Sequence, residues 1–352
     1  MDTVRIYVSA ILAALLLLSL FACSKPENKQ YPLRNTTTSN TIRLAATAEF
    51  RSSGLEATII QDFEKEFKCK VILKLYEDHA ALTDSIFTDA DSIDVALGIP
   101  SVFSASLEEI EHFSPYIPRA VDDLNRDCVE ENQYRMIPYG FSYMGLLYNS
   151  ALLNEAPKSF GELQDDRYLN QMALVDPSRS GTGRAMLHWS IALFGKDGYQ
   201  QMLRALRKNV FRNYASVAEA LTAVNSGECT MMPGLITLSA WQNEQKHEDS
   251  KLDFKVFSEG SYLYSECLAI MSKAQNPELA SAFVDFMLRE SSQKMVIYKL
   301  GLFPANRKTL LPPSFSRVPL SPWLLNSDLE YSLIKENTKE WLEAWAQIFS
   351  IY

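Results

Sequence analysis

The chain has 352 residues, of which 47% are hydrophobic and 22% charged, with 13 Gly and 15 Pro; this excludes a disordered, collagen-like or disulfide-stapled miniature protein and leaves room for two lobes with separate cores. Thirty-four Lys and Arg stand against 43 Asp and Glu, a net charge of -9, and with no run rich in Arg and Lys the electrostatic footprint of a nucleic-acid binder is missing, whereas a small cationic ligand suits such a surface. Five cysteines (Cys23, Cys69, Cys128, Cys229, Cys267) show neither a CxxC pair nor a Cys/His zinc spacing, and with four histidines (His79, His112, His188, His247) no metal site is expected.

Residues 1–22 carry Arg5 and then an apolar run from Ile6 to Ala22, which reads as a secretory signal peptide. The run ends in Leu20-Phe21-Ala22-Cys23, which resembles the bacterial lipobox, with Phe21 bulkier than usual at its position. Cleavage before Cys23 would leave a thiol to be diacylated, for instance with palmitate, and two or three acyl chains anchor stably at roughly 0.8 kcal/mol per buried CH₂. An uncleaved signal anchor is the competing reading. Ser24 to Thr41 has no apolar periodicity and reads as a flexible tether, so residues 23–41 would hang the body from a membrane surface in the cell envelope.

The body begins with a strand at Thr41 to Thr47, a helix over Leu55 to Phe67 and a strand at Lys70 to Leu75. A helix over His79 to Phe87, a short apolar strand from Ile93 to Leu97 ending at Gly98, and a helix near Leu107 to His112 continue the alternation. Strand and helix repeating with short connections predict an α/β sheet covered on both faces. From Ile137 the texture changes: Tyr143 to Tyr148 is an aromatic-rich strand with no helix before it, read here as a crossing between lobes. Beyond it come a strand at Met172 to Val175, helices at Ala185 to Phe194, Gly198 to Leu206 and Val217 to Val224, a strand at Thr230 to Met232, a helix at Leu238 to Lys246 and a strand at Phe254 to Phe257. A long strand from Tyr262 to Met271 returns the chain to helices at Pro277 to Leu288 and Ser291 to Tyr298. The last stretch, Asp328 to Phe349, carries Leu333, Ile334, Trp341, Leu342, Trp345 and Ile348 at helical spacing.

Catalytic patterns fit poorly. Gly140-Phe141-Ser142-Tyr143-Met144 has Met where a nucleophile elbow needs its second Gly, and Ser291-Ser292-Gln293-Lys294 matches SxxK without SDN or KTG partners. Asp78 beside His79 is better read as a ligand-facing carboxylate than as a general-base pair, since neighbours in sequence rarely face one point. An envelope hydrolase using Ser180 or a Cys nucleophile would lack its base, so no enzyme is expected. Asp176-Pro177-Ser178-Arg179-Ser180-Gly181-Thr182-Gly183-Arg184 lies between a strand and a helix, where hydroxyls and free helix N–H groups make either a polar-ligand cradle or a simple cap. It lacks the Lys of a Walker loop and the glycines of a dinucleotide turn, so no nucleotide cofactor is implied. Tyr214, Trp241, Tyr262 and Tyr264 form an aromatic set able to hold a flat cation, at roughly 0.5 to 2 kcal/mol per ring; Tyr262 and Tyr264, two apart on a strand, are also compatible with a paired-tyrosinate ferric site.

Several short segments carry a resemblance. They are Phe63-Glu64 with Cys69, Leu75 to Asp78, Asp94 to Gly98, Pro138-Tyr139 with Leu147-Tyr148, Asp176-Pro177 with Ser180, and Phe257 to Gly260 followed by Tyr262. Pro277 to Ala280, Phe283, Phe286-Met287, Pro304-Ala305-Asn306, Leu311-Pro312-Pro313 and Trp341 four before Trp345 complete the set. In this order they resemble the periplasmic thiamine-binding proteins, solute-binding components of ABC importers, from about Ile42 to Ser350. The resemblance implies a type II periplasmic-binding-protein fold: two α/β lobes, each a mixed sheet flanked by helices, with the ligand cleft between them. Residues 42–138 with 262–352 would form lobe 1 and 139–261 lobe 2. It implies further that Asp78 meets the ligand's aminopyrimidine or cationic part, that Ser180 hydrogen-bonds at the cradle with Ser178 and Gly181, and that Tyr214 and Trp241 stand in for aromatic residues of the family, with Tyr262 and Phe303 completing the site. Thr47, Leu235 and Leu302 replace aromatics, so the cage is thinner than the family's. The expected ligand is thiamine or a thiamine phosphate, the partners an ABC permease with its ATPase subunits and the membrane reached through Cys23, and the body a monomer that binds no nucleic acid. A ferric ion or another small cation is the alternative ligand. The sequence leaves the pairing of Cys69, Cys128, Cys229 and Cys267 open.

Overall fold

The computed structural model describes residues 40–106, 112–129, 134–245, 250–320 and 322–349. The leader, Cys23 and nearly all of the tether lie outside them, as does the helix expected near Leu107, apart from His112. Among the described residues no helix is long and apolar enough to cross a membrane.

Chain order places strand β1 (Thr41–Thr47), helices α1 (Ala48–Ser52) and α2 (Leu55–Phe67), β2 (Lys70–Tyr76), α3 (His79–Thr88), β3 (Val95–Pro100), a 3-10 turn (Ser101–Ser106), β4 (Phe113–Ser114) and the long β5 (Ile137–Asn149). Then follow β6 (Met172–Val175), α4 (Gly181–Leu206), β7 (Val210–Tyr214), α5 (Val217–Ser226), β8 (Met231–Leu235), α6 (Thr237–Gln245), β9 (Leu252–Lys255), β10 (Leu263–Met271), α7 (Pro277–Met287), α8 (Glu290–Leu300), β11 (Phe303–Pro304) and α9 (Tyr331–Phe349). The strands are hydrogen-bonded in the order β2-β1-β3-β10-β5-β8-β6-β7, with β4 on β10 and β9 and β11 on β5.

β1 runs parallel to β2 and β3, so the carboxyl ends Thr47, Tyr76 and Pro100 share one edge. β6 is parallel to β7 and β8. The two groups meet on β5: up to Tyr143 it pairs with β10 and β11, and from Met144 with β8 and β9. β5 contains the strand expected at Tyr143 to Tyr148 and begins six residues earlier, because an apolar strand buried on both faces carries no alternation to mark its start.

Local chemistry explains the helices that hold the cleft. α2 buries Leu55, Ile59 and Phe63, one face at fourfold spacing, and Phe63 meets Phe283 and Phe286 of α7 edge-on. α3 is capped by Asp78, whose Oδ1 accepts from the Ala81 N–H at 2.9 Å. Two helices expected at Ala185 to Phe194 and Gly198 to Leu206 are the halves of α4, broken at Gly195, whose φ of 70° and ψ of 170° are outside the helical region. α9 buries Trp341, Trp345 and Ile348 as its stripe predicts, while Leu333, Ile334 and Leu342 are half-buried. β7 has no counterpart in the sequence reading, because Val210 to Tyr214 alternates too briefly to stand out beside the helix before it.

Candidate functional site

In a sheet with parallel strands, the crevice outside their carboxyl ends is where ligands bind. Here that edge is formed by Thr47 and α1, Tyr76 to His79, and Gly98 to Ser101. The segment 176–181, leading from β6 into α4, is brought against it. Arg179 Nε lies 2.7 Å from Asp78 Oδ2, and its Nη2 pairs with Glu77. The Gly181 N–H points to His79 Nδ1 at 3.2 Å. A Cβ on Gly181 would stand 2.6 Å from Pro100 and 2.9 Å from Tyr264, so the close approach of the two segments depends on a bare α-carbon there. Arg184 extends the seam by stacking its guanidinium 4.4 Å above the Phe103 ring.

Behind the seam, Glu266 of β10 accepts hydrogen bonds from Tyr139 at 2.6 Å and from Tyr264 at 3.0 Å. A bulge makes this possible. Glu266 pairs with Gly140 but Cys267 with Pro138, leaving Tyr139 as the extra residue on β5, and the added residue turns its side chain to the face of Glu266. Gly98, at φ 86°, takes the left-handed backbone region that favours glycine, next to the Tyr139 hydroxyl.

The electrostatics follow from burial and from these contacts. Burial, then the Glu266 charge, push both the Tyr139 and Tyr264 phenols well above their ordinary range, so each keeps its proton and donates it. Burial likewise lowers the His79 imidazole, against the opposing pull of Glu266 and Asp78, consistent with a neutral ring accepting at Nδ1. Burial alone would raise the Asp78 carboxyl, but the Ala81 N–H and the Arg179 guanidinium outweigh it and hold it below its usual value. Glu49 of α1 is raised to about 7, by burial and then by Glu266. Among the described residues no group of three or more His, Cys, Asp and Glu is placed to hold a metal ion.

The family model for bacterial extracellular solute-binding proteins matches residues 90–323. This chain belongs to that family. The thiamine-binding periplasmic protein of Brucella abortus is 25% identical to it over 290 residues, covering 81% of this chain and 84% of the relative. The solved structure of a periplasmic thiamin binding protein superposes with a TM-score of 0.78 at 21% identity, over 91% of this chain and 99% of that one. An iron-bound protein from Pseudomonas aeruginosa, HitA, reaches 0.69 at 18% identity over 88% and 99%. The architecture is that of the type II binding proteins, two α/β lobes with the cleft between them.

Against this family frame the expected site residues separate. Asp78, Ser180 and Gly181 lie at or beside the seam, but Asp78 is already shared between Ala81 and Arg179. Ser178 turns back, its N–H and hydroxyl both meeting Asp176 Oδ1 at 2.8 and 2.7 Å. Ser180 occupies the cap position of α4 without a side-chain capping bond. Tyr214 reaches Glu228 at 3.4 Å and lines a separate groove of about 570 Å³ with Arg212, Glu219 and Thr222. Trp241 donates to the Tyr298 carbonyl at 2.9 Å and covers Gly301. Tyr262 packs edge-on to His188, and Phe303 is buried among Phe141, Tyr143 and Phe315. Thr47, Leu235 and Leu302 are all buried. Glu49, Glu266 and Arg179 were not singled out from the sequence as binding residues. Pro138, a residue confined in sheets to edges and bulges, was the one available signal for the bulge that aims Tyr139 at Glu266.

Proposed function

We propose that this chain is the receptor of an ABC importer in the bacterial periplasm, a non-catalytic monomer whose lobes close on thiamine and deliver it to a membrane permease. Lipid attachment at Cys23 would keep it at the membrane. The lobes would divide where β5 changes partners, at Tyr143 and Met144, with the chain returning near Tyr262; hinge closure would then couple ligand burial to docking.

The observation that carries the ligand reading is the charge of the cleft. Glu266 is fixed as an acceptor by two phenols, while Arg179, the guanidinium of the seam, is engaged by Asp78 and Glu77. Such a cleft favours an organic cation. It also favours the unphosphorylated form, because the N–H groups of segment 178–181, which a phosphate would need, are occupied: Ser178 by Asp176 Oδ1, Arg179 and Ser180 by the Asp176 carbonyl, and Gly181 by His79. In this reading the ligand's positive charge lies toward Glu266 rather than at Asp78, and Trp241 and Phe303 support the fold. A ferric ion would need Tyr262 and Tyr264 turned to one point, whereas Tyr262 packs edge-on to His188 and Tyr264 donates to Glu266.

Equilibrium dialysis with thiamine tests the assignment. Wild-type protein should bind it, Glu266→Gln at least about tenfold more weakly, and Trp241→Ala within about twofold of wild type, a tenfold change being about 1.4 kcal/mol. Unchanged binding in Glu266→Gln would remove the charge assignment.

A further inference from the structure

We infer that His79 is an acid-released latch of the cleft: its neutral ring accepts the Gly181 N–H and holds the seam shut, and a proton added at Nδ1 removes that acceptor and lets the cleft open. This rests on the reading that the lobes open and close, and it goes beyond the ligand assignment by naming a condition that controls opening. The step is a simple protonation. The Nδ1 lone pair takes a proton from water or buffer, the ring gains one positive charge, and the hydrogen bond from Gly181 is lost.

Two helix starts place the contact. His79 is the first residue of α3 and Gly181 the first of α4, and a first-turn N–H such as that of Gly181 has no partner within its own helix. It reaches His79 Nδ1 at 3.2 Å. A hydrogen bond received at Nδ1 leaves the ring's own proton on Nε2, the neutral tautomer. An imidazolium would set a second donor against the Gly181 N–H and would put its charge at the amino ends of both helices, where a cation is disfavoured. The charged groups around the ring act in two directions. Arg179 stands two residues before Gly181, and Arg184 stacks 4.4 Å above the Phe103 ring, whose centre is 6.4 Å from that of His79; both oppose a further cation. Asp78 and Glu266 attract one, but Asp78 already accepts from Ala81 and Arg179, Glu266 from Tyr139 and Tyr264, and Glu77 is paired with Arg179. Burial is the largest influence on the ring and lowers it, in agreement with the geometry. The Asp78 carboxyl is held below its usual value, so its pair with Arg179 persists in weak acid. That exposed pair, screened by solvent, is then left to hold the seam without the His79 contact. The closed protein binds fewer protons than the open one, so closure is fully favoured above the open ring's ordinary value of about 6.5 and weakens, by up to tenfold per pH unit, as pH falls below it.

The test has two independent readings, and neither needs a ligand. In small-angle scattering of the purified chain, wild-type protein should keep its smallest radius of gyration from pH 8 down to about 6.5 and enlarge as pH falls to 5. His79→Asn, whose amide oxygen takes the place of Nδ1 and does not titrate, should stay compact over the whole range, and His79→Ala should be enlarged throughout. Acid unfolding would enlarge the Asn variant together with wild type, which separates it from opening. The second reading is nitrogen NMR of protein labelled at histidine, with the His79 signals assigned by their loss in His79→Asn. At pH 8 the ring should carry its proton on Nε2, and Nδ1 should gain one over the same range in which the radius grows. A wild-type radius that is the same at pH 8 and pH 5, a change repeated in His79→Asn, or a proton on Nδ1 at pH 8 overturns the latch, and thiamine binding in the same samples would leave the receptor reading standing. A radius that follows the His79 titration in protein that fails to bind thiamine at pH 8 removes the ligand assignment and supports the latch.

Discussion

Arg179 reaches across the cleft to Asp78, Nε to Oδ2 at 2.7 Å, joining the segment that precedes α4 to the residue that caps α3. Arg179 is over a third exposed and Asp78 about a fifth, so solvent screens the pair. A double-mutant cycle with Arg179→Ala and Asp78→Asn should give a coupling of about 0.2 to 1 kcal/mol in urea unfolding. The pair should matter more for closure than for stability: small-angle scattering of ligand-free Arg179→Ala should report a larger radius of gyration than wild type. The Asp78 carboxyl is held below its usual value, so its contribution is fully present above about pH 4 and is lost as pH falls through the lowered value.

Two glycines near the start of α4 should behave differently. A Cβ on Gly183 would meet the Val175 carbonyl at 2.4 Å, within the same lobe, whereas one on Gly181 would meet Pro100 and Tyr264 across the cleft. Gly183→Ala should cost about 1 to 3 kcal/mol of stability by overpacking. Gly181→Ala should leave the melting temperature nearly unchanged and weaken thiamine binding, because opening the cleft relieves its clash. Thermal melts paired with binding isotherms separate the two.

His188 should make the fold sensitive to acid. It is fully buried on α4, edge-on to Tyr262 and Trp341, with neither ring nitrogen hydrogen-bonded, and burial with the nearby Arg184 charge lowers it to about 3. The unfolded chain therefore binds one more proton than the native state between about pH 3 and 6.5. Stability should fall in that window, by up to about 1.4 kcal/mol per pH unit, and the full contribution should be present above pH 6.5. Urea unfolding across pH 4 to 7 should show this slope in wild type and a shallower one in His188→Phe.

Trp241 donates to the Tyr298 carbonyl and lies over Gly301, contacts that tie α6 to the end of α8. Trp241→Ala should cost about 2 kcal/mol of stability, less than a fully buried Trp would, and change affinity for thiamine by no more than about twofold. A loss of affinity at unchanged stability would return Trp241 to the ligand.

How far the sequence revealed this molecule depends on which forces carry each feature. α2 and α3 were legible to within a residue, because amphipathic spacing and the Asp78 cap are local signals. The break in α4 was legible too, since Gly195 interrupts an otherwise continuous apolar face. The pairing change along β5 is not local: Tyr143 and Met144 are equally buried, and only the arrival of β8 and β10 distinguishes them. The site followed the same division. Resemblance pointed to Asp78 and Ser180, at the seam, through short motifs. Glu266 and Tyr139 lie more than one hundred residues apart and gain meaning only when the bulge on β5 brings the phenol to the carboxylate. Tyr214 and Trp241 were picked out by residue type, and beyond the Arg212 guanidinium over Tyr214 their contacts, with Glu228 and the Tyr298 carbonyl, come from parts of the chain that no local pattern joins to them.

The central claim is that the cleft receives an unphosphorylated organic cation, and calorimetric titration of the purified chain with thiamine and with thiamine pyrophosphate at pH 8 tests it most directly. One-to-one binding of thiamine, with the pyrophosphate bound more weakly because its anionic tail would meet Glu266 and find the N–H groups of segment 178–181 occupied, is the predicted result. No heat with thiamine, or tighter binding of the pyrophosphate, would contradict it.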